Sequence, residues 1–245
     1  MGTYLSPFTT PALMNNSSVY AAMQSVSMDS TGKAVAVGYN SANYPVFAVS
    51  TNYGASWTTP ALMNNSSVYA RMTSVSMDST GHAVAVGYYT ATGYPVFAVS
   101  TNYGASWTTP ALMNGNNPYC SMRSVAMDST GHAVAVGYTV FAVSTDYGAT
   151  WTTPALMNGG SNYCSMQSVA MDSTGYAVVV GYDNGGSNKP FFAVSTNYGA
   201  TWTKIAEMNG GSAYMRMLSV SMGSTGRAVV VGYNTTGSPV FAITA

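Results

Sequence analysis

Ser50-Thr51-Asn52-Tyr53-Gly54-Ala55-Ser56-Trp57 recurs unchanged at Ser100 to Trp107, and with small changes at Ser144 to Trp151 and Ser195 to Trp202. A degraded form, Tyr4-Leu5-Ser6-Pro7-Phe8, stands near the N-terminus. Aligned on Phe8, Trp57, Trp107, Trp151 and Trp202, the copies lie 49, 50, 44 and 51 residues apart. A period in this range marks a solenoid, an array or a propeller, in which each unit buries its faces against its neighbours.

The second unit shows what lies between two copies. Met72 to Met77 alternates as a short strand, and Asp78-Ser79-Thr80-Gly81 has turn chemistry. Ala83 to Tyr88 reads as a second strand of small and β-branched residues. After a loop from Tyr89 to Tyr94, Pro95 to Ser100 reads as a third strand, with proline at its tolerated first position. The octapeptide turn then leads to Ser106-Trp107-Thr108-Thr109, read as the fourth. No segment has helical period. Four short antiparallel strands per repeat of this length describe a propeller blade. Small residues in the first strand (Ser74 and Ser76, Ser124 and Ala126 and their counterparts) suit the crowded axis of a ring.

The expected fold is therefore all-β: a single five-bladed β-propeller of four-stranded antiparallel blades over residues 1–245. Val240 to Thr244 ends where other units enter the octapeptide turn, and the N-terminal segment around Pro7 to Pro11 supplies the strand that follows it. The N-terminal strand is thus expected to complete the last blade and close the ring, removing a frayed edge.

Composition narrows the partners. Only 6% of residues are charged, and seven basic side chains balance seven acidic ones. There is no field to attract phosphate backbones or anionic surfaces, which argues against nucleic-acid binding. No apolar run approaches the roughly 18 residues of a membrane-spanning helix, so no membrane insertion is expected. No signal peptide is visible, and the compartment stays open, with a secreted or cell-surface location favoured. Oligomeric state is not legible. Cys120 and Cys164 occupy one column of neighbouring repeats, either as two small half-buried side chains or as an inter-blade disulfide.

Ser144-Thr145-Asp146-Tyr147-Gly148-Ala149-Thr150-Trp151 resembles the Asp-box of sialidase-type (BNR) propellers, Ser-x-Asp-x-Gly-x-Thr-Trp, and matches it in full. The other copies carry Asn52, Asn102 and Asn197 in the acidic place. The resemblance implies a turn between third and fourth strands with its Trp packed into the blade, and it implies no activity. The sialidases' catalytic set of three arginines, a Tyr–Glu pair and an acid is not expected here. Arg71, Arg123, Arg216 and Arg227 are the only arginines and Glu207 the only glutamate. No catalytic residue, cofactor or metal site is expected, and the Asp29, Asp78, Asp128, Asp172 column reads as turn structure.

Loops on a rigid scaffold are the usual place for function. The fourth-to-first connections and second-to-third loops emerge on one face. They carry the asparagines Asn15, Asn64, Asn114, Asn158 and Asn209 and the tyrosines Tyr20, Tyr69, Tyr119, Tyr163 and Tyr214. The strand ends beside them carry Tyr39, Tyr88, Tyr138, Tyr182 and Tyr233. Uncharged amides with aromatic faces suit neutral hydroxylated ligands. The expectation is a multivalent, lectin-like glycan binder with up to five equivalent weak sites, similar in architecture to five-bladed propeller lectins of the tachylectin type. The alternative is a non-enzymatic structural or adhesion scaffold that binds a protein partner through its variable loops.

Overall fold

The computed structural model describes residues 9–14, 20–65, 68–113, 120–157, 164–185, 188–208 and 215–244. It contains five antiparallel sheets, one per repeat. The first is β1 (Ala21–Met28), β2 (Ala34–Asn40), β3 (Pro45–Ser50) and β4 (Ala61–Leu62). The second is β5 (Ala70–Met77), β6 (Ala83–Tyr89), β7 (Pro95–Ser100) and β8 (Ala111–Leu112). The third comprises β9 (Met122–Met127), β10 (Ala133–Gly137), β11 (Val140–Ser144) and β12 (Ala155–Leu156). The fourth comprises β13 (Cys164–Met171), β14 (Ala177–Asp183), β15 (Pro190–Ser195) and β16 (Ala206–Glu207). The fifth has three strands among the described residues: β17 (Met215–Met222), β18 (Ala228–Asn234) and β19 (Pro239–Ile243). Each sheet is a meander in sequence order.

Alternation decides which residues meet the neighbouring sheet. One face of β2, with Val35 and Val37, packs against Met72, Val75, Ala83, Ala85 and Trp107 of the second sheet. The same pattern repeats at the next three seams, so the core is four inter-sheet layers and not one central cluster. Burying a side chain such as Met72 or Val37 contributes about 1.5–3 kcal/mol. Polar groups key the seams too. The amides of Val75 and Met77 donate to the hydroxyls of Ser25 and Ser27 at 3.2 and 3.0 Å. Val125 and Met127 do the same to Ser74 and Ser76, Val169 to Ser124, and Val220 to Ser168.

The octapeptide forms the turn the sequence implies. The Asn102 side-chain oxygen accepts from the Ser100 hydroxyl and the Ser106 amide, while Ser100 Oγ accepts from the amides of Asn102 and Gly104. Gly104 has φ +79, and a Cβ there would lie 2.6 Å from Val35 Cγ2 of the preceding sheet. Trp107 is buried across the seam, 6.3 Å from the Phe47 ring, and its indole N–H donates to Gly104 O.

The fourth strand departs from the sequence reading. It is Ala111–Leu112, not Ser106 to Thr109. Trp107 turns inward to its seam; the Thr108 amide still donates to Val99 O, but the Thr108 hydroxyl accepts the Val99 amide in place of a ladder carbonyl, and the paired strand comes only after Pro110. In the N-terminal segment, Thr9 to Leu13 form no strand, and residues 1–8 lie outside the described residues. Cys120 and Cys164 are buried at the edges of their sheets, and no disulfide joins them. Burial pushes the Cys120 thiol pKa up. Among the described residues no helix is long and apolar enough to cross a membrane.

Candidate ligand site between the second and third sheets

At one end of every sheet the first strand begins and the second strand ends, so Arg71 pairs with Tyr88 and Arg216 with Tyr233. The variable loops leave from this end. Two residues further along, each inner strand carries a bulge, at Gln24, Thr73, Arg123, Gln167 and Leu218. A bulge re-aims a side chain. It also brings two backbones together: a Cβ on Gly87 would sit 1.9 Å from Arg71 O, which is why each second strand carries glycine here.

The strand-end tyrosines, expected to be equivalent, differ because the residue reaching over from the next sheet differs. Arg71 lies over the Tyr39 ring at 4.3 Å and bonds Asn43 Oδ1 at 2.9 Å. Arg216 repeats this over Tyr182 at 4.7 Å, bonding Asn188 Oδ1. Asn43 and Asn188 hold positive φ, which asparagine tolerates better than most residues. These two aromatic faces are covered by guanidinium. Above Tyr88 the same column is Ser121, too short to reach, and a cavity of about 370 Å³ opens there. Thr73, Tyr88, Ser121, Arg123 and Tyr138 line it. Tyr233 is half-buried and has no cation over it among the described residues.

Arg123 is the cation of this cavity. It stacks on Tyr138 of its own sheet at 4.1 Å, donates to the Tyr138 hydroxyl, and bonds Gln167 Oε1 at 3.1 Å. Its Nε is buried with no partner among the described residues. Tyr138 is held by the shortened loop, whose Thr139 amide donates to Cys164 O, and by a bridge to Ser165. Thr73 Oγ1 donates to Val86 O and Met122 O, tying the bulge across the seam.

The other expected positions are placed as follows. Tyr69 is exposed and forms an aromatic pair with Tyr44, ring centroids 5.2 Å apart. A hydrogen bond with Tyr69 pushes the Tyr44 phenol pKa above its ordinary value. Tyr20 is exposed. Asn64, at φ 45, donates to the Thr109 hydroxyl at 2.7 Å and so spends its amide on the scaffold. Asn15, Asn114, Tyr119, Asn158, Tyr163, Asn209 and Tyr214 lie outside the described residues. Thr73, Ser121, Arg123 and Tyr44 were not among the expected binding residues. The break in the Arg71/Arg216 column at Ser121 is the signal that marks the first three.

Two further cavities carry less chemistry. One of about 310 Å³ lies in the fourth seam among Val178, Val180, Phe192 and Val230, an apolar packing gap. The other, near Asp172 and Thr225, lies among the β-turns at the opposite end of the sheets.

No family model and no curated protein sequence matches the chain. Solved structures do. A Dyadobacter fermentans protein of unknown function aligns with a TM-score of 0.61 at 16% identity, covering 92% of this chain and 79% of that one. The intramolecular trans-sialidase of Ruminococcus gnavus aligns at 0.56 and 12% identity, covering 78% and 46%. The leech intramolecular trans-sialidase aligns at 0.59 and 14%, covering 82% and 36%. The chain thus matches less than half the length of either trans-sialidase. At these identities the likeness concerns architecture alone: the chain has a sialidase-like β-propeller fold.

Proposed function

We propose that the protein is a non-enzymatic carbohydrate-binding propeller whose principal site is the cavity between the second and third sheets. The observation that carries this reading is Ser121 standing where Arg71 and Arg216 stand elsewhere, which leaves Tyr88 bare beside Tyr138 and Arg123. An aromatic face covers the apolar side of a sugar ring. The Thr73 and Ser121 hydroxyls and the Arg123 guanidinium can bond ring hydroxyls around it. The cavity volume suits a mono- or disaccharide. Two of the fold relatives are trans-sialidases, one complexed with 2,7-anhydro-Neu5Ac, which supports glycan as the ligand class. The exposed Tyr44–Tyr69 pair offers a second, shallower platform on the same face.

The non-enzymatic part of the reading rests on where the acids are. Asp29, Asp78, Asp128 and Asp172 accept from their own turns. Asp146 accepts from the Thr150 amide and hydroxyl, and Asp183 from the Gly185 amide. Glu207 pairs with Lys189 at 2.8 Å on an outer strand. Those seven are all the acids in the chain, and no two share a pocket as general acid–base work requires.

Labelled protein on a broad glycan array, followed by calorimetry of each hit, tests this. The expected result is glycan binding that Tyr88→Ala weakens by about tenfold or more, since stacking on one ring contributes on the order of 1–3 kcal/mol in comparable aromatic platforms. A blank array, or binding indifferent to Tyr88, would shift the reading to a protein-binding scaffold.

A further inference from the structure

The turn between β6 and β7 borders two aromatic surfaces at once. It is tight: the Tyr89 amide donates to Tyr94 O at 2.9 Å, and the Gly93 amide to Tyr89 O at 2.8 Å. On one side the Thr90 amide donates to Tyr69 O at 3.0 Å, and Tyr69 is half of the aromatic pair with Tyr44. On the other side Gly93 O accepts the Ser121 hydroxyl at 3.5 Å, and Ser121 is a wall of the cavity over Tyr88. We propose that the cavity and the Tyr44–Tyr69 pair are the two ends of one groove, which takes a linear oligosaccharide longer than the cavity holds alone. The groove presupposes the glycan reading of the cavity and adds the length of its ligand.

Register sets the spacing between the ends. Ala70 pairs with Tyr89 and Arg71 with Tyr88, and the bond from Thr90 to Tyr69 continues that ladder by one step. Tyr69 therefore stands opposite Thr90, with Tyr88 as its diagonal neighbour. Such neighbours have Cα atoms about 7–8 Å apart, close enough for successive rings of one sugar chain to reach both tyrosines. Arg71, between them in the ladder, is drawn off to the Tyr39 ring and Asn43. What remains along the path is Thr90-Ala91-Thr92-Gly93, with no side chain larger than threonine and with Ala91 and Thr92 exposed. The wall is low, and its hydroxyls can bond a sugar. The far end is held ready: a hydrogen bond joins the Tyr44 and Tyr69 side chains, so Tyr69, 58% exposed, has less to order on binding.

The second sheet alone combines an open tyrosine, a low turn and a neighbouring aromatic pair among the described residues. In the first and fourth sheets arginine covers the strand-end tyrosine. In the third, Arg123 lies on Tyr138 and the turn shrinks to Thr139. In the fifth, the place of Tyr44 is taken by Lys189 of the preceding sheet. A single chain that engages both ends makes its second contact intramolecularly, at the high effective concentration of a tethered group, which favours one long ligand over two short ones.

A glycan array that prints each backbone sugar at disaccharide, tetrasaccharide and hexasaccharide length, followed by calorimetry on the series that binds best, tests the groove. The expected result is an affinity that rises about tenfold or more from the disaccharide to the longer members, with one oligosaccharide bound per protein. Tyr69→Ala is expected to abolish that rise. Should that variant not fold, Ala91→Leu, at an exposed turn position, raises the wall between the two ends and is expected to reduce the same rise. Equal affinity at every length, with Tyr88→Ala still abolishing binding, would overturn the groove and leave the cavity as a glycan site. A rise indifferent to Tyr69, or two ligands bound per protein, would overturn it too. Binding by no member of any series would remove the glycan reading, and the groove with it.

Discussion

The Asp29 carboxylate shows how one residue holds a turn. Burial pushes its pKa up, but the Thr31 hydroxyl and the amides of Lys33, Thr31 and Gly32 donate to the charged form and outweigh it, so the net pKa is lowered. Asp172 and Asp146 are lowered in the same way, by Thr174 and Thr150 with their neighbouring amides. A depressed folded pKa adds stability above the unfolded value of about 3.9, and that stability is lost as pH falls through the lower folded value. Acid titration of the unfolding midpoint is thus expected to be flat above pH 5 and to decline below 4. Asp172→Asn is expected to flatten part of that decline. Glycine offers a second test at this scale. Gly104→Ala forces a Cβ against Val35 at positive φ and is expected to cost roughly 2–4 kcal/mol in chemical denaturation. Gly226→Ala, at φ +77 with nothing within 4 Å, is expected to cost about 1 kcal/mol. The turn roles of these residues were legible because Asp-Ser-Thr-Gly and Ser-x-Asn-x-Gly name their own hydrogen bonds. That Gly104 also serves packing was not legible, since its neighbour Val35 lies in another repeat.

Elements in this chain are specified by alternation, and alternation reads well. Strands one to three of the second unit are legible in sequence to within two residues, because Ala-Val-Ala-Val-Gly-Tyr and Pro-Val-Phe-Ala-Val-Ser have period two. The fourth strand was misplaced because Trp107 looks like a strand residue but serves the seam, and only two residues, Ala111 and Leu112, then pair. The bulges were invisible for a related reason: one extra residue on the inner strand leaves the apolar pattern unbroken. The serine column of the first strand, read as small for want of room at an axis, turns out to accept hydrogen bonds across each seam. Ser74→Ala leaves the Val125 amide without its acceptor in a buried seam and is expected to cost about 1–3 kcal/mol. Ser76→Ala is expected to cost less, because Ala126 and Ala170 already stand in that column. Denaturant midpoints of the two variants would compare them directly.

At the scale of the whole molecule, repetition builds the scaffold and its interruptions build the proposed site. Five near-identical units suggested five equivalent loop positions. The structure distinguishes their strand-end tyrosines through one column, Ala22, Arg71, Ser121, Ser165 and Arg216: Arg71 and Arg216 cover the tyrosine of the preceding sheet, Ser121 leaves Tyr88 open, and beside Ser165 the Tyr138 ring is covered by Arg123 of its own sheet. That difference is written in the sequence, but its meaning depends on which tyrosine each residue reaches, and this is fixed by the packing of adjacent sheets. The most direct measurement is therefore calorimetric titration of Ser121→Arg, alongside the unaltered protein, with the glycan found to bind best. Arginine is already accommodated at this position in two other sheets, so the unfolding midpoint is expected to stay within about 0.5 kcal/mol of the parent's stability. With Tyr88 now covered as Tyr39 and Tyr182 are, glycan binding should be lost. Unchanged affinity in a folded Ser121→Arg protein would contradict the assignment of this cavity as the site.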